Sequence, residues 1–245
     1  MLTWTVDPNE SRAVVTLRGD LSVGETGRLR TALLKCLAEQ PEALLVDLSG
    51  LRVLEPHALS VFTAVTRQAA TWPGMPVLLC GSAPATAELL AGGGFGKLSV
   101  TADLAEAHAL LDAGGSGMQM MADDLLPIRG AARHARDVVT DACARWSLPH
   151  LVAPATVIAG EMVANVIDHV GTMMTLRVSL RSRFLYVAVR DGSSEPPTPL
   201  RPPFRPGAGL ALIHASATHW GWMPAADGKV VWAALSLRGD AGSDV

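Results

Sequence analysis

The sequence has few cysteines, no long apolar run and no dense run of basic residues, and each absence excludes a class of protein. The three cysteines, Cys36, Cys80 and Cys143, lie far apart in apolar surroundings, which fits neither a disulfide framework nor a zinc cluster. No apolar run approaches the ~20 residues that cross a bilayer, and no charged segment followed by an apolar one stands at the start. We therefore expect a cytoplasmic protein without a membrane partner.

The charge balance argues against a nucleic-acid partner. The formal net charge is −3, whereas proteins that bind nucleic acids directly usually carry basic patches. Hydrophobic residues make up 49% and charged residues 18% of the chain, a composition typical of folded proteins rather than disordered ones. A length of 245 residues favours two domains.

The first half alternates short apolar runs with amphipathic stretches from Ala13 onward. This alternation predicts an α/β domain, a small sheet covered by helices, over residues 1–112. The Gly-rich stretch DAGGSGMQMMADD has no apolar period, and we predict a linker over residues 113–124. An ordinary surface loop within one domain is the alternative. The second domain is then predicted over residues 125–245.

The second half combines helical and strand patterns. Helices are predicted around 130–145, through EMVANVIDHV and over LALIHASATHW. TLRVSLR and FLYVAVRD alternate with period two on either side of RSR, which predicts an antiparallel hairpin, and KVVWAALSL predicts a last strand. The intervening SSEPPTPLRPPFRPGAG carries six of the sixteen prolines and is predicted as a loop.

Three polar residues form a stripe on the predicted helix EMVANVIDHV. Glu161, Asn165 and His169 follow one another at four-residue spacing, so each lies roughly 40° around the axis from the last. Apolar residues fill the adjoining arc, which places the stripe at the margin of the core. An amide oxygen such as that of Asn165 suits Mg²⁺, which usually keeps waters and phosphate oxygens as its other ligands.

Two further motifs complete a candidate nucleotide site. Asp191 at a strand end can accept a hydrogen bond from adenine, and Gly192 lets the chain approach a ring. Gly207 and Gly209, just before a helix, can turn backbone N–H groups toward phosphates. Each element also has an ordinary explanation: a solvated amide, a packed or capping His169, a turn at Asp191 and glycines that cap a helix.

Residues from about 128 to 237 resemble the Bergerat-type (GHKL) ATPase domain of anti-sigma-factor serine kinases, which are relatives of histidine kinases and gyrase. EMVANVIDHV resembles the N box, VRDGSSEPP the first glycine box, and GAGLALIHASATHWGWMPAADGKVVWAAL the second glycine box with the last strand. The resemblance implies an α/β sandwich with a mixed, mainly antiparallel sheet. It also implies ATP and Mg²⁺ as cofactors, with Asn165 as metal ligand, Glu161 as general base and Asp191 as adenine reader. The proline-rich loop would be the lid.

The second glycine box departs from the family pattern. Close relatives read Gly-Gly-Arg-Gly-Leu or similar, whereas Pro206, Gly207, Ala208 and Gly209 stand here. The missing arginine removes a phosphate partner, and Pro206 removes a backbone donor. Loss of one charge-assisted contact weakens a site by about 1.5 to 3 kcal/mol, so we expect weak or conditional ATP binding.

The first half resembles the STAS domain of anti-sigma-factor antagonists, and LLVDLSGLRVLEPHALSVFTAV carries the resemblance. Family members have Asp-Ser-Ser-Gly-Leu after this strand, and the second serine accepts phosphate. Here the segment reads Glu55, Pro56, His57, Ala58 and Leu59, so no hydroxyl occupies the acceptor position. Glu55 either mimics a negative charge near the helix start or simply lies beside a helix that Pro56 begins.

The two resemblances support three functional hypotheses. The first is a partner-switching regulator of sigma-factor signalling and transcription, which binds a sigma factor or STAS-type antagonist proteins. The second is an active serine/threonine kinase that phosphorylates a separate STAS antagonist. The third is a degenerate, non-catalytic scaffold. The fusion also permits autoinhibition, with the STAS half docked on its own kinase half, and the kinase resemblance implies a homodimer.

Overall fold

A computed structural model describes residues 1–7, 11–92, 94–114, 119–197 and 209–238, with only the backbone given at 209 and 210. The chain divides into two compact units, Met1–Gly117 and Met118–Val245. The described part of each unit contains one five-stranded sheet.

The sheet of the first unit has the strand order β1-β2-β3-β4-β5. β1 pairs antiparallel with β2, and the remaining neighbours are parallel. The parallel strands are separated by helices, as the alternating sequence pattern predicts. The strands are β1 Thr3–Asp7, β2 Ala13–Leu21, β3 Leu44–Val53, β4 Val77–Cys80 and β5 Ser99–Thr101.

Four helices accompany this sheet: α1 Thr26–Ala38, α2 Ser60–Thr71, α3 Pro84–Ala91 and α4 Leu104–Ala113. α4 covers one face, where its Ala107 packs with Leu45, Leu78 and Cys80. Because side chains alternate along a strand, Leu44 points to the opposite face. A 3-10 turn over Pro56–Leu59 connects β3 to α2.

Burial changes the chemistry of Cys36 on α1. Removal from water, with a smaller contribution from the negative charge of Glu39, raises the pKa of this thiol to about 11. The reactive thiolate is therefore scarce until the pH approaches that value. We expect alkylation of Cys36 in the folded protein at pH 8 to be about a hundredfold slower than in urea. Peptide-level mass spectrometry after timed iodoacetamide treatment measures this ratio, and equal rates would contradict the burial.

The sheet of the second unit has the strand order β6-β7-β8-β10-β9. Every pairing in its described part is antiparallel, whereas the resemblance implied a mixed, mainly antiparallel sheet. Hairpins join β7 to β8 and β9 to β10, and a hairpin always pairs its two strands antiparallel. β10 also runs antiparallel to β8, so no parallel pair arises among these strands. The strands are β6 Gln119–Leu125, β7 Met174–Leu180, β8 Phe184–Asp191, β9 His219–Pro224 and β10 Lys229–Ser236.

Helices α5 Ala131–Arg145, α6 Val152–His169 and α7 Gly209–Ser216 belong to the same unit. Val139 of α5, Val163 of α6 and Ile213 of α7 lie in one core cluster with Val187 and Val189 of β8. The helices therefore cover one face of the sheet, with α6 packed against both α5 and α7.

The segment Pro149–His169 is long and apolar enough to cross a membrane by length and composition. The sequence analysis expected no such segment, because Glu161 and Asp168 interrupt the apolar run. The mean hydropathy of the segment nevertheless stays high enough for a membrane-spanning helix. In the structure its apolar residues, including Ile158 and Val163, pack in the core of the second unit. That packing is typical of the central helix of a folded domain.

Three strands differ from the sequence prediction. β6 lies in the segment predicted as linker, and its alternating exposed and partly buried residues are typical of an edge strand. β9 occupies the end of the stretch predicted as helix, because α7 stops at Ser216 and the following residues pair with β10. β1 was not predicted, since its residues are mostly exposed. The predicted hairpin around residues 181–183 is confirmed.

Candidate functional site

A row of facing residues crosses the second sheet at the end of β8. Asp191 faces Met174 of β7 on one side and Lys229 of β10 on the other. Asp191 follows Val189 by two residues, so its side chain points to the face that the helices cover. The row therefore sets one acidic and one basic side chain at the margin of an apolar core.

Asp191 and Lys229 form a buried ion pair. The Nζ atom of Lys229 donates to Oδ1 of Asp191 at 2.9 Å, and the two residues are 5% and 3% exposed. The backbone N–H of Ser193 donates to the same Oδ1 at 2.8 Å. Burial of either charge alone is unfavourable, so each of the two charges compensates the burial of the other.

Backbone segments pass close to each other around this pair. A Cβ atom at Gly228 would lie 1.9 Å from the carbonyl oxygen of Asp191 and 2.9 Å from the Cα atom of Gly192. The N–H of Gly192 donates to Oγ1 of Thr172 at 3.0 Å. Glycine at 228 therefore allows the two strand ends to close around the carboxylate.

The polar stripe of α6 lies beside the core as predicted. Glu161 and Asn165 are partly buried, and His169 is exposed at the last residue of the helix. None of these three side chains makes a hydrogen bond or ion pair with the residues that the structure describes. Val163 and Val166 of α6 share the core cluster with Val189 of β8. The helix that carries the stripe therefore packs on the strand that ends at Asp191.

Of the two glycines predicted to approach phosphate, only Gly209 lies among the described residues. Gly209 is the first residue of α7, as expected for a glycine at a helix start. Gly207, with Pro206 and Ala208 on either side, lies outside the described residues. Their roles toward phosphate remain predictions from the sequence.

Three contributors to the site were missed in the sequence: Lys229, Gly228 and Thr172. One signal was present for Lys229, because it has the same parity in β10 as Val231, Ala233 and Leu235, which belong to or pack against the core. A cation on the buried side of a strand requires an anion opposite it. Which anion it meets depends on the strand register, which the sequence does not specify.

A second candidate site lies in the first unit, at the turn between β3 and α2. Oε2 of Glu55 accepts a hydrogen bond from the backbone N–H of Val23 at 2.5 Å. The carbonyl of Glu55 accepts from the N–H of Ala58 at 2.9 Å. The Glu55 carboxylate therefore accepts a hydrogen bond from the neighbouring turn at Val23–Glu25. It does not cap the helical turn that follows it in the chain.

Apolar side chains are exposed around this turn, beside the exposed carboxylate of Glu55. Leu54 is 53% and Val23 52% exposed, and Pro56 and His57 are also exposed. Ala58, by contrast, is buried under the turn. We call Val23, Leu54, Pro56 and His57 the β3–α2 surface. Such clusters of exposed apolar residues commonly mark protein contacts.

Comparison with known proteins bears on the first unit. A protein-family model described as Mlab, STAS domain, matches residues 4–104. A search of curated proteins finds no match for the chain.

Several solved structures are similar to part of the chain. An anti-sigma factor antagonist from Mycobacterium paratuberculosis is 22% identical, with 46% of this chain and 95% of that chain covered and a TM-score of 0.40. An RsbS variant from Moorella thermoacetica is 21% identical, with 45% and 95% covered and a TM-score of 0.39. The RsbU and RsbW domains of a Mycobacterium tuberculosis protein are 17% identical, with 48% and 32% covered and a TM-score of 0.38. From the family model, residues 4–104 of this chain are a STAS domain.

Proposed function

We propose that this protein is a partner-switching regulator of sigma-factor signalling whose STAS domain binds a sigma-factor regulatory protein without accepting phosphate. The observation that carries the proposal is the turn after β3. It presents exposed apolar side chains, and His57 stands where the resembling family has its acceptor serine. A domain with this surface retains the means to dock but lacks the hydroxyl that a kinase would modify.

The similar structures are consistent with this role. They include an anti-sigma factor antagonist and an RsbW domain, and the partner of such an antagonist is an anti-sigma factor. We therefore propose an anti-sigma-factor protein of the serine-kinase type as the partner of the STAS domain. In this chain Glu55 is engaged by the N–H of Val23, which fixes the shape of the turn without a covalent modification.

The second unit is proposed to bind ATP with Mg²⁺. Binding of the partner protein would then depend on whether nucleotide is bound. Asn165 would coordinate the metal, Asp191 with Gly192 would meet the adenine, and Gly207 with Gly209 would approach the phosphates. Asn165 and Glu161 are partly buried and have no polar partner among the described residues, which leaves their oxygens available for a ligand. When bound, Mg²⁺ supplies charge neutralisation for the phosphates.

Leu54→Asp tests the proposed docking surface. We expect this substitution to weaken binding of an anti-sigma-factor kinase at least tenfold, because it places a charge in an apolar contact. Leu54 is more than half exposed, so the fold should persist, as circular dichroism can verify. The matched control is Leu110→Asp on α4, a leucine 54% exposed, which should leave the affinity unchanged. Equal effects of the two substitutions would contradict the assigned surface.

Phosphorylation of a separate STAS protein is a second candidate function. The available carboxylate of Glu161 and amide of Asn165 favour it, since a general base and a metal ligand are both needed for phosphoryl transfer. Transfer of labelled phosphate from ATP to an antagonist that carries the acceptor serine measures this activity. Loss of labelling in Asn165→Ala would support the kinase, whereas equal labelling would show that the proposed metal site is not responsible.

A further inference from the structure

An arginine beside the β3–α2 surface is linked to it by hydrogen bonds. Arg28 lies in the first turn of α1, and its Nη1 atom donates to Oε2 of Glu25 at 2.8 Å. Glu25 ends the short turn that begins with Val23, a residue of the surface. The backbone N–H of Val23 in turn bonds the carboxylate of Glu55. The chain of contacts therefore runs from a carboxylate past an exposed apolar side chain to a guanidinium.

Arg28 is the outer member of its ion pair. Its side chain is 55% exposed and that of Glu25 is 20% exposed, so a protein that approaches the surface meets the cation first. The guanidinium also lies over the indole of Trp4, 5.5 Å from the ring centroid, where the ring attracts a cation. Two contacts thus orient the arginine before a partner binds, which lowers the cost of ordering it on binding.

Helix stability does not explain the position of Arg28. A cation in the first turn of a helix is unfavourable, because the N-terminal end carries partial positive charge. Glu25 immediately precedes α1, yet its side chain does not cap the helix and bonds Arg28 instead. An exposed ion pair of this kind contributes little to stability. Native proteins break such local rules mainly at functional sites, which favours a role in binding.

Arg28 retains donors for a ligand, and the space beside it is open. A guanidinium carries several N–H donors in a planar fork, and one hydrogen bond is described for that of Arg28. A Cβ atom added at the adjacent Gly27 would meet no described atom within 4 Å, so a partner chain can approach the fork. Carboxylates match this fork with paired, parallel hydrogen bonds.

We infer that Arg28 is a specificity-determining residue of the docking surface and that it binds a carboxylate of the anti-sigma-factor partner. This inference rests on the proposed function of the STAS domain. The apolar residues of the β3–α2 surface supply contact area, whereas Arg28 selects a partner that places an acidic side chain next to its own apolar contact. A partner with a basic residue at that place is rejected by like-charge repulsion.

The test measures the affinity of the full chain for a purified anti-sigma-factor kinase by calorimetry. Arg28→Ala should bind about tenfold more weakly than the native chain, because a charge-assisted contact is lost. Arg28→Lys retains the charge but not the planar fork, so its affinity should lie between those of the native chain and Arg28→Ala.

Arg30→Ala is the matched control. Arg30 is an exposed arginine of the same helix, and it lies roughly 200° around the axis from Arg28. Its replacement removes the same charge from another face, and salt screens a charge outside the contact, so the affinity should stay within about twofold of native. Urea unfolding should give the native midpoint for both alanine variants. If Arg28→Ala unfolds more easily, Arg28→Gln, which keeps an aliphatic stem, replaces it in the comparison.

The outcomes separate this inference from the proposed function. If Leu54→Asp weakens binding but Arg28→Ala and Arg30→Ala have equal effects, the role of Arg28 is wrong and the docking surface stands. Arg28→Lys binding as weakly as Arg28→Ala would support recognition by the fork rather than by charge alone. If the native chain binds no anti-sigma-factor kinase, the inference and the proposed function both fail.

Discussion

Gly228→Ala is expected to destabilise the second unit by about 2 to 4 kcal/mol, because the new methyl group would overlap backbone rather than a movable side chain. The added Cβ would lie 1.9 Å from the carbonyl oxygen of Asp191. Relief requires the ends of β8 and β10 to move apart, which also separates Asp191 from Lys229. Urea unfolding gives the free-energy change, and hydrogen exchange in β8 and β10 peptides localises it to this unit.

Gly130→Ala is the matched control for this substitution. Gly130 precedes α5, has a negative φ of −79° and has no described atom within 4 Å of an added Cβ. Its replacement should change the free energy of unfolding by less than about 0.5 kcal/mol. A Gly228→Ala protein as stable as the Gly130→Ala protein would show that the two strand ends are not in the close contact described.

Lys229→Met is expected to destabilise the second unit by about 3 to 5 kcal/mol in the absence of nucleotide. The loss arises because Asp191 stays buried after its cation is removed. The double variant Asp191→Leu/Lys229→Met should recover most of this stability, since replacement of a buried ion pair by apolar residues of similar size is often neutral or stabilising.

The stability of the double variant decides between two roles for the pair. Recovery to near the native free energy of unfolding would mean that the pair contributes little net stability. Its retention would then fit a role in fixing the strand register rather than in stability. A double variant less stable than Lys229→Met alone would contradict the account, because the uncompensated Asp191 charge would not be the cause of the loss. Urea unfolding of the three proteins measures these differences.

Sequence periodicity was sufficient for the elements with strong patterns. Helices α5 and α6, and the hairpin of β7 and β8, agree with the predicted stretches. Their apolar residues recur at the period of the element because one face of each lies on the core. Strands without a buried face gave no such signal, which is why β1 and β6 were missed.

β9 shows how pairing overrides a local pattern. The stretch from residue 210 reads as one helix, yet the chain leaves α7 after Ser216 and pairs with β10. Gly221 faces Trp232 there, and a Cβ at Gly221 would lie 2.9 Å from the indole ring. The ring of Trp232 thus packs on the glycine backbone, a contact with a distant residue that no window of local sequence contains.

Only the parts of the candidate site that depend on local spacing were predictable from the sequence. The stripe on α6 follows from helical spacing, and the position of Asp191 at a strand end follows from the hairpin. The partner of Asp191 depends on the register between β8 and β10, which brings Lys229 opposite it. Likewise the Val23 N–H that Glu55 bonds lies 32 residues earlier in the chain, so the shape of the β3–α2 turn was not evident from its own sequence.

The most direct test of the central claim is a titration of the full chain with an anti-sigma-factor kinase, with and without ATP and Mg²⁺, followed by mass spectrometry of the STAS domain. We predict saturable binding that Leu54→Asp weakens, and no phosphate on residues 55–59. Absence of binding under every nucleotide condition, or phosphate transferred to that turn, would contradict the proposed function.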